Sequence, residues 1–159
     1  MLALLAVTAA LAAPTIDLPD LFADQLPRVR DKTEVAILLP QKLPDQFDEY
    51  HPTGFGRRNG WGLQIGAVPN CGGATACFVA SFSARKGGRP FGRRRLTLAN
   101  DRKGRFQPLS CGASCSPPSI SWRERGATYS IQANVSAEGV GDRRIFRRMA
   151  NSAIRRGPR

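Results

Sequence analysis

The sequence predicts an α+β domain: a mainly antiparallel sheet of about six to seven strands with a C-terminal helix packed on one face. Three observations carry that expectation. Between Asn59 and Val135, apolar residues recur at alternate positions in several short runs separated by Gly, Pro and Asn-Asp punctuation. Beyond Asp142 the period changes to 3.6, with Ile145, Phe146, Met149, Ala150 and Ala153 on one side and Arg144, Arg147, Arg148, Asn151 and Arg155 on the other. Finally, 159 residues that are 42% hydrophobic can build one core without a metal or a partner, and are too few for a two-domain enzyme.

The elements follow in order. Met1 to Ala13 is uncharged and almost wholly apolar, and Ala10-Leu11-Ala12 has the small-x-small pattern that a signal peptidase cuts, so residues 1–12 read as a signal peptide. As a helix, about 12 residues span only ~18 Å of a ~30 Å hydrocarbon core, which makes a membrane anchor the weaker reading. The mature chain is expected to carry no transmembrane span. Residues 13–33 hold three prolines and isolated Leu and Phe among alternating charges. They predict a loosely ordered lead-in with one helical turn around Leu21 to Gln25, ahead of a single domain over 34–159.

Glu34 to Leu39, closed by Pro40, predicts a strand, and Lys42-Leu43-Pro44 a turn. Asn59-Gly60 favours a type I′ hairpin joining a preceding strand to Trp61–Val68. Phe78, Ala80, Phe82 and Ala84 alternate with small polar residues, as in a half-buried strand. Arg95 to Ala99 and Arg105 to Leu109 form the next pair, turned by Asn100 to Gly104. Ile120 and Trp122, a turn at Glu124-Arg125-Gly126, and Tyr129, Ile131, Ala133 and Val135 give the last hairpin. Gly157 and Pro158 stop the helix.

Four cysteines lie in two close pairs, Cys71 with Cys77 and Cys111 with Cys115, within Gly-, Ser- and Pro-rich loops, as expected of disulfides in an oxidising compartment. Three connectivities exist. Chain entropy assigns ~2 to 2.5 kcal/mol to each short loop and nearer ~4 to bridges between the pairs, so energy favours long bridges. Placement within single turns between strands favours local ones. A four-cysteine zinc site is the sharper alternative, weakened by the wide spacing inside the first pair. A redox dithiol is disfavoured because Cys111-Gly-Ala-Ser-Cys115 has one residue too many for the oxidoreductase motif. No metal or other cofactor is expected.

Charge is uneven. Ala13 to Tyr50 carries eight acids and four bases, whereas His51 to Arg159 carries four acids and 20 bases. Twenty of the 24 bases are Arg, suited to bidentate contact with phosphate or carboxylate, although a coding bias would give the same excess. Arg85, Lys86, Arg89, Arg93, Arg94 and Arg95 surround Gly87-Gly88 and Phe91, predicting a mobile basic hairpin tip. With the helical stripe of Arg144, Arg147, Arg148 and Arg155 it forms the candidate anion-binding set. Expected partners are an anionic envelope component such as lipid phosphate or lipopolysaccharide, or an acidic protein, with nucleic acid bound only non-specifically.

Chemistry is harder to find. His51 is the only histidine, which excludes a two-histidine metal motif, and no serine sits in a G-x-S-x-G elbow. Asp45, Asp48 and Glu49 form an acidic cluster in a Pro-flanked segment, usually a solvated loop. After residue 50 the acids are Asp101, Glu124, Glu138 and Asp142, all at turns or at the helix start, where capping and local pairing account for them. Gly54, Gly56, Gly60 and Gly62 open no helix, so a dinucleotide fingerprint fails.

Cys71-Gly-Gly-Ala-Thr-Ala-Cys77, Leu96 to Gly104, Cys111-Gly-Ala-Ser-Cys115, and Ile120-Ser-Trp122 with Gly126 and Tyr129 before an Ala150-Asn-Ser-Ala-Ile154 helix resemble an uncharacterised family of exported bacterial proteins. The closing hairpin and helix also resemble a domain of unknown function in bacterial envelope and anti-sigma-like proteins. The resemblance implies export to the periplasm or beyond and an α+β fold, and no reaction. The expected role is a non-catalytic exported or envelope protein that binds an anionic surface or partner. The alternative is a small secreted hydrolase using His51 or the Asp45, Asp48 and Glu49 cluster.

Overall fold

The computed structural model describes residues 14–136 and 140–159; the predicted signal segment and Glu138 lie outside them. In chain order the elements are β1 (Thr15–Asp17), α1 (Leu18–Leu21), α2 (Gln25–Arg30), β2 (Lys42–Pro44), β3 (His51–Arg57), β4 (Gly60–Gly66), β5 (Phe78–Lys86), β6 (Arg94–Thr97), β7 (Lys103–Gln107), β8 (Ser110–Cys111), β9 (Cys115–Ser116), β10 (Ser119–Glu124), β11 (Ala127–Ala133) and α3 (Asp142–Arg156). The α+β expectation holds. A 7-stranded antiparallel sheet runs in the order β3-β4-β5-β11-β10-β7-β6. β1 with β2 and β8 with β9 form two small ribbons.

Alternation assigns the inner face. Leu63, Phe82, Ile131, Ile120 and Phe106 lie side by side across five strands, and all are at most 2% exposed. α3 covers the β7–β10 side: the Phe146 and Phe106 rings sit 5.7 Å apart, and Asn151 Oδ1 accepts the Ala99 amide at 2.6 Å. Phe146 and Met149 are buried as the helical period requires. The helix ends at Gly157, whose φ of 73° lies in the left-handed region that glycine enters at little cost.

The lead-in is not loose. Leu18, Phe22, Leu26 and Val29 join the common core, so the domain begins well before residue 34. Helices α1 and α2 flank the predicted turn, and Phe22 meets Phe82 edge-on with 6.1 Å between centroids. Gly54 and Gly56 are the seats for α2: a Cβ on Gly56 would stand 2.5 Å from the Val29 carbonyl oxygen. Gly54 and Gly56 therefore serve helix–sheet contact, whereas a Cβ on Gly62 would meet the Phe55 ring on the other face. The predicted turn at Lys42–Pro44 is instead strand β2, paired with β1.

Glu34–Leu39 forms no strand. It crosses the inner face without regular secondary structure, with Ile37, Leu38 and Leu39 all buried. Its polar anchor is the Ala36 carbonyl, which accepts Trp61 Nε1 at 3.1 Å and the Tyr129 hydroxyl at 3.0 Å. The Asn59-Gly60 hairpin forms one residue early: Arg57 pairs with Gly60, and neither Asn59 nor Gly60 has positive φ. Consecutive left-handed residues turn two other hairpins, Asn100 (φ 54°) and Asp101 (φ 56°) between β6 and β7, and Arg125 (φ 50°) and Gly126 (φ 77°) between β10 and β11.

Tyr129 is also stacked on Trp122 with 5.5 Å between centroids. Burial, then the Glu124 carboxylate, push its phenol up to about 12, against a smaller pull from Arg125. The folded value exceeds the unfolded one near 10.0. Its contribution is therefore complete below pH 10 and is lost between pH 10 and 12, at up to ~1.4 kcal/mol per pH unit. Tyr129→Phe is expected to remove that alkaline fall in urea midpoints measured from pH 9 upward; an unchanged fall would assign it to other groups.

Candidate functional site

Residues paired across antiparallel strands share a face, and period two repeats the pattern along each strand. On the face turned away from the helices this builds parallel rows of side chains. The first runs Arg57, Gly60, Arg85, Thr128 and Arg123 across β3, β4, β5, β11 and β10. The second runs Phe55, Gly62, Ser83, Ser130, Ser121, Arg105 and Arg95 across the whole sheet. The next runs Thr53, Gln64, Ser81, Gln132, Ser119 and Gln107. Lys103 shares this face two residues before Arg105 on β7. The surface is cationic along its first row and at its β7–β6 end, where Arg105 and Arg95 close the second row, rich in hydroxyls over β5, β11 and β10 and amide-lined along the third row, and these rows hold no carboxylate.

The acids lie elsewhere. Glu124 alternates to the inner face, buried, with Arg102 Nη2 3.4 Å from its Oε1. Asp101 sits in a left-handed turn at φ 56°, and Asp142 in the first turn of α3.

Residues 87–93 are a strap and not the predicted mobile hairpin tip. β11, β10 and β7 stand between β5 and β6, so the connection must cross them. It does so on the polar face. Thr128 Oγ1 donates to the Gly87 carbonyl at 2.8 Å, Arg123 Nη1 to that of Gly88 at 3.0 Å and Arg105 Nη1 to that of Gly92 at 3.2 Å. Ser121 Oγ accepts the Phe91 amide at 2.8 Å and donates to the Phe91 carbonyl at 2.7 Å. At Gly92, with φ 123°, a Cβ would lie 2.9 Å from the Phe106 carbonyl carbon.

Beside the strap is a cleft of about 520 Å³ lined by Arg57, Arg85 and Arg89, with Phe55, Phe91, Ser83, Thr128 and Ser130. Phe55 lies over Gly62, where a Cβ would come within 2.5 Å of its ring, and the Arg57 guanidinium is 5.7 Å from the ring centroid. Farther along β5 and β11 a second cleft of about 340 Å³ includes Gln64, Ser81 and Gln132, with the two cysteine loops at its rim. A third, about 600 Å³, gathers Arg95, Lys103 and Arg105 near Pro90.

The sequence-defined basic set is thus divided. Arg85 and Arg89 enter the first cleft and Arg95 the third, while Arg93 and Arg94 are exposed. Arg94 pairs with Phe106 and so alternates to the helix side; Lys86 pairs with Ala127, off the polar rows. Arg144, Arg147, Arg148 and Arg155 are exposed on α3, on the other side of the sheet. Arg57, Lys103, Arg105, Arg123 and Phe55 belong to the polar face and were not singled out by clustering along the chain. Alternation identifies their side within each strand, but pairing order is needed to unite them.

The hydrolase residues do not converge. His51 Nε2 meets Glu49 Oε2 at 3.1 Å on an open surface. Asp45 accepts the Tyr50 hydroxyl at 2.6 Å, and that oxygen accepts the Gln46 and Phe47 amides, closing a structural turn. Burial, then the Asp45 hydrogen bond, raise the Tyr50 phenol. None of Asp45, Asp48, Glu49 and His51 lines any of the three clefts.

The disulfides are local, Cys71–Cys77 and Cys111–Cys115, with sulfur separations of 2.07 and 2.11 Å. All four thiols are consumed, which removes the zinc alternative. Among the described residues no helix is long and apolar enough to cross a membrane. No family model, curated protein or solved structure matches this chain.

Proposed function

We propose that this chain is an exported, non-catalytic binding domain that holds an anionic ligand on the polar face of its sheet. The observation that carries the reading is the row Arg57, Arg85 and Arg123 in register across five strands, bordered by Arg89, Lys103 and Arg105, on rows without a carboxylate. Opposed charges would neutralise such a row; their exclusion leaves a field that attracts anions and strengthens as salt falls. Arg105 and Arg123 are partly committed to strap carbonyls, so Arg57, Arg85 and Arg89 are the groups for ligand contact. Anionic lipid, lipopolysaccharide or an acidic protein is the partner class. Nucleic acid binds by charge alone.

Titration with anionic vesicles, lipopolysaccharide and DNA from low salt to ~0.15 M tests this, the upper limit being where the Debye length is ~8 Å. On DNA the log–log salt slope should flatten by about two to three units in the Arg57→Gln/Arg85→Gln/Arg89→Gln variant. It should stay unchanged in the corresponding Arg144, Arg147 and Arg148 variant. No binding at ~0.15 M, or dependence on the helix alone, would overturn the assignment.

Export belongs to the same reading, on the apolar amino-terminal run, the resemblance to exported bacterial proteins and the paired disulfides. Intact mass of the protein from its host, before and after reduction and alkylation, is expected to give a start near Ala13 and thiols protected until reduction. Retained Met1 or free thiols would contradict it.

A further inference from the structure

We infer that the groove along β5 and β11 takes an acidic saccharide chain, its carboxylate held by Arg57, Arg85 and Arg89 and its rings laid over the uncharged floor. This rests on the anion-binding reading and narrows it to one ligand class. Charge is distributed unevenly along the groove. Its floor steps from Arg85 through Ser83 to Ser81 on β5, and from Thr128 through Ser130 to Gln132 on β11. Each step is about 7 Å. Cations occupy one end only, and the next two steps offer hydroxyls and amides. A polymer with a phosphate on every unit would lay most of its charge over neutral ground. A hydroxyl-rich chain with an acid group at the arginine end matches both halves, because Ser, Thr and Gln donate to and accept from sugar hydroxyls, while guanidinium pairs in a fork with carboxylate.

An aromatic pair flanks the arginine end of the groove. Phe55 and Phe91 are 59% and 50% exposed, and both line the same 520 Å³ cleft. Neither is loosely presented: Phe55 rests over Gly62, and Ser121 fixes the Phe91 backbone at both its amide and its carbonyl. A sugar ring presents a C–H face that packs on such rings, and walls already fixed reduce the ordering cost on binding. The cleft is of ordinary small-ligand size, and the second cleft continues it along the same two strands.

The test is calorimetry in ~0.15 M salt with a xylotriose bearing one terminal glucuronate, its methyl ester, tripolyphosphate and a four-residue oligothymidylate. The singly acidic oligosaccharide is expected to bind at least tenfold tighter than each of the others. Phe55→Ala, and separately Ser81→Ala/Ser83→Ala, should weaken it about tenfold while leaving tripolyphosphate unchanged; unfolding midpoints confirm that each variant is folded, and Phe91→Ala provides a second probe of the aromatic wall. Equal binding of all anions, with no effect of Phe55→Ala or Phe91→Ala, would overturn the saccharide assignment and leave the anion-binding reading standing. Tighter binding of oligothymidylate with the same Phe55 dependence would overturn it in favour of single-stranded nucleic acid. Binding of none of the probes would overturn both.

Discussion

Phe22→Ala is expected to lower the unfolding free energy by about 3–5 kcal/mol in urea denaturation, the range for emptying a buried aromatic site. Phe22 is fully buried, edge-on to Phe82 in a central strand, with Leu18 and Val29 buried in the same cluster. The closely seated α2 leaves little room to collapse into the space, because Gly54 and Gly56 already bring it against β3. A loss within the ±0.5 kcal/mol typical of surface substitutions would contradict the packing of residues 18–29 into the core.

Ser121→Ala should release the strap. Its hydroxyl is the partner of both the amide and the carbonyl of Phe91, and Ser121 has no exposed surface. Leaving those two backbone groups unpaired costs about 1–3 kcal/mol each where water cannot replace the hydroxyl. The measurement is limited trypsin digestion at Arg93 and Arg94, where the variant should be cut at least tenfold faster than the parent. Equal resistance would mean that Arg105 and Arg123 hold the strap without Ser121.

The strands of the seven-stranded sheet and α3 were legible because each is a local period, whereas the short ribbon strands β1, β2, β8 and β9 have none. Phe82 and Ala84, or Ile145 and Met149, declare their inner side whatever lies opposite. Residues 18–30 were not: Pro19 and Pro27 suggest irregular chain, and the burial of Leu18, Phe22, Leu26 and Val29 comes from a sheet that those residues cannot reveal. Glu34–Leu39 misled for a related reason. Its apolar run is buried on consecutive residues but pairs with no strand, so burial alone did not specify a sheet position. The candidate site was half legible. Arg85 and Arg89 were visible as a cluster, but Arg57 and Arg123 join them only through the β3-β4-β5-β11-β10 order, which depends on contacts far apart in the chain. The same order turned an expected hairpin tip into a crossover.

That order also dictates how the molecule must assemble. β3, β4 and β5 form a meander, and β10 with β11 a tight hairpin, so both can grow from neighbouring residues. The seam between β5 and β11, where Phe82 meets Ile131, cannot. Closing its loop of about 50 residues costs ~2 kcal/mol more in chain entropy than closing a five-residue turn. Such non-local pairing places folding in the millisecond-to-second range. Until the seam closes, β5 and β11 each keep an open edge, and a second copy can offer the missing partner. Refolding yield should therefore fall with protein concentration even though the finished sheet ends in Pro52 on one flank and Arg94 and Arg95 on the other.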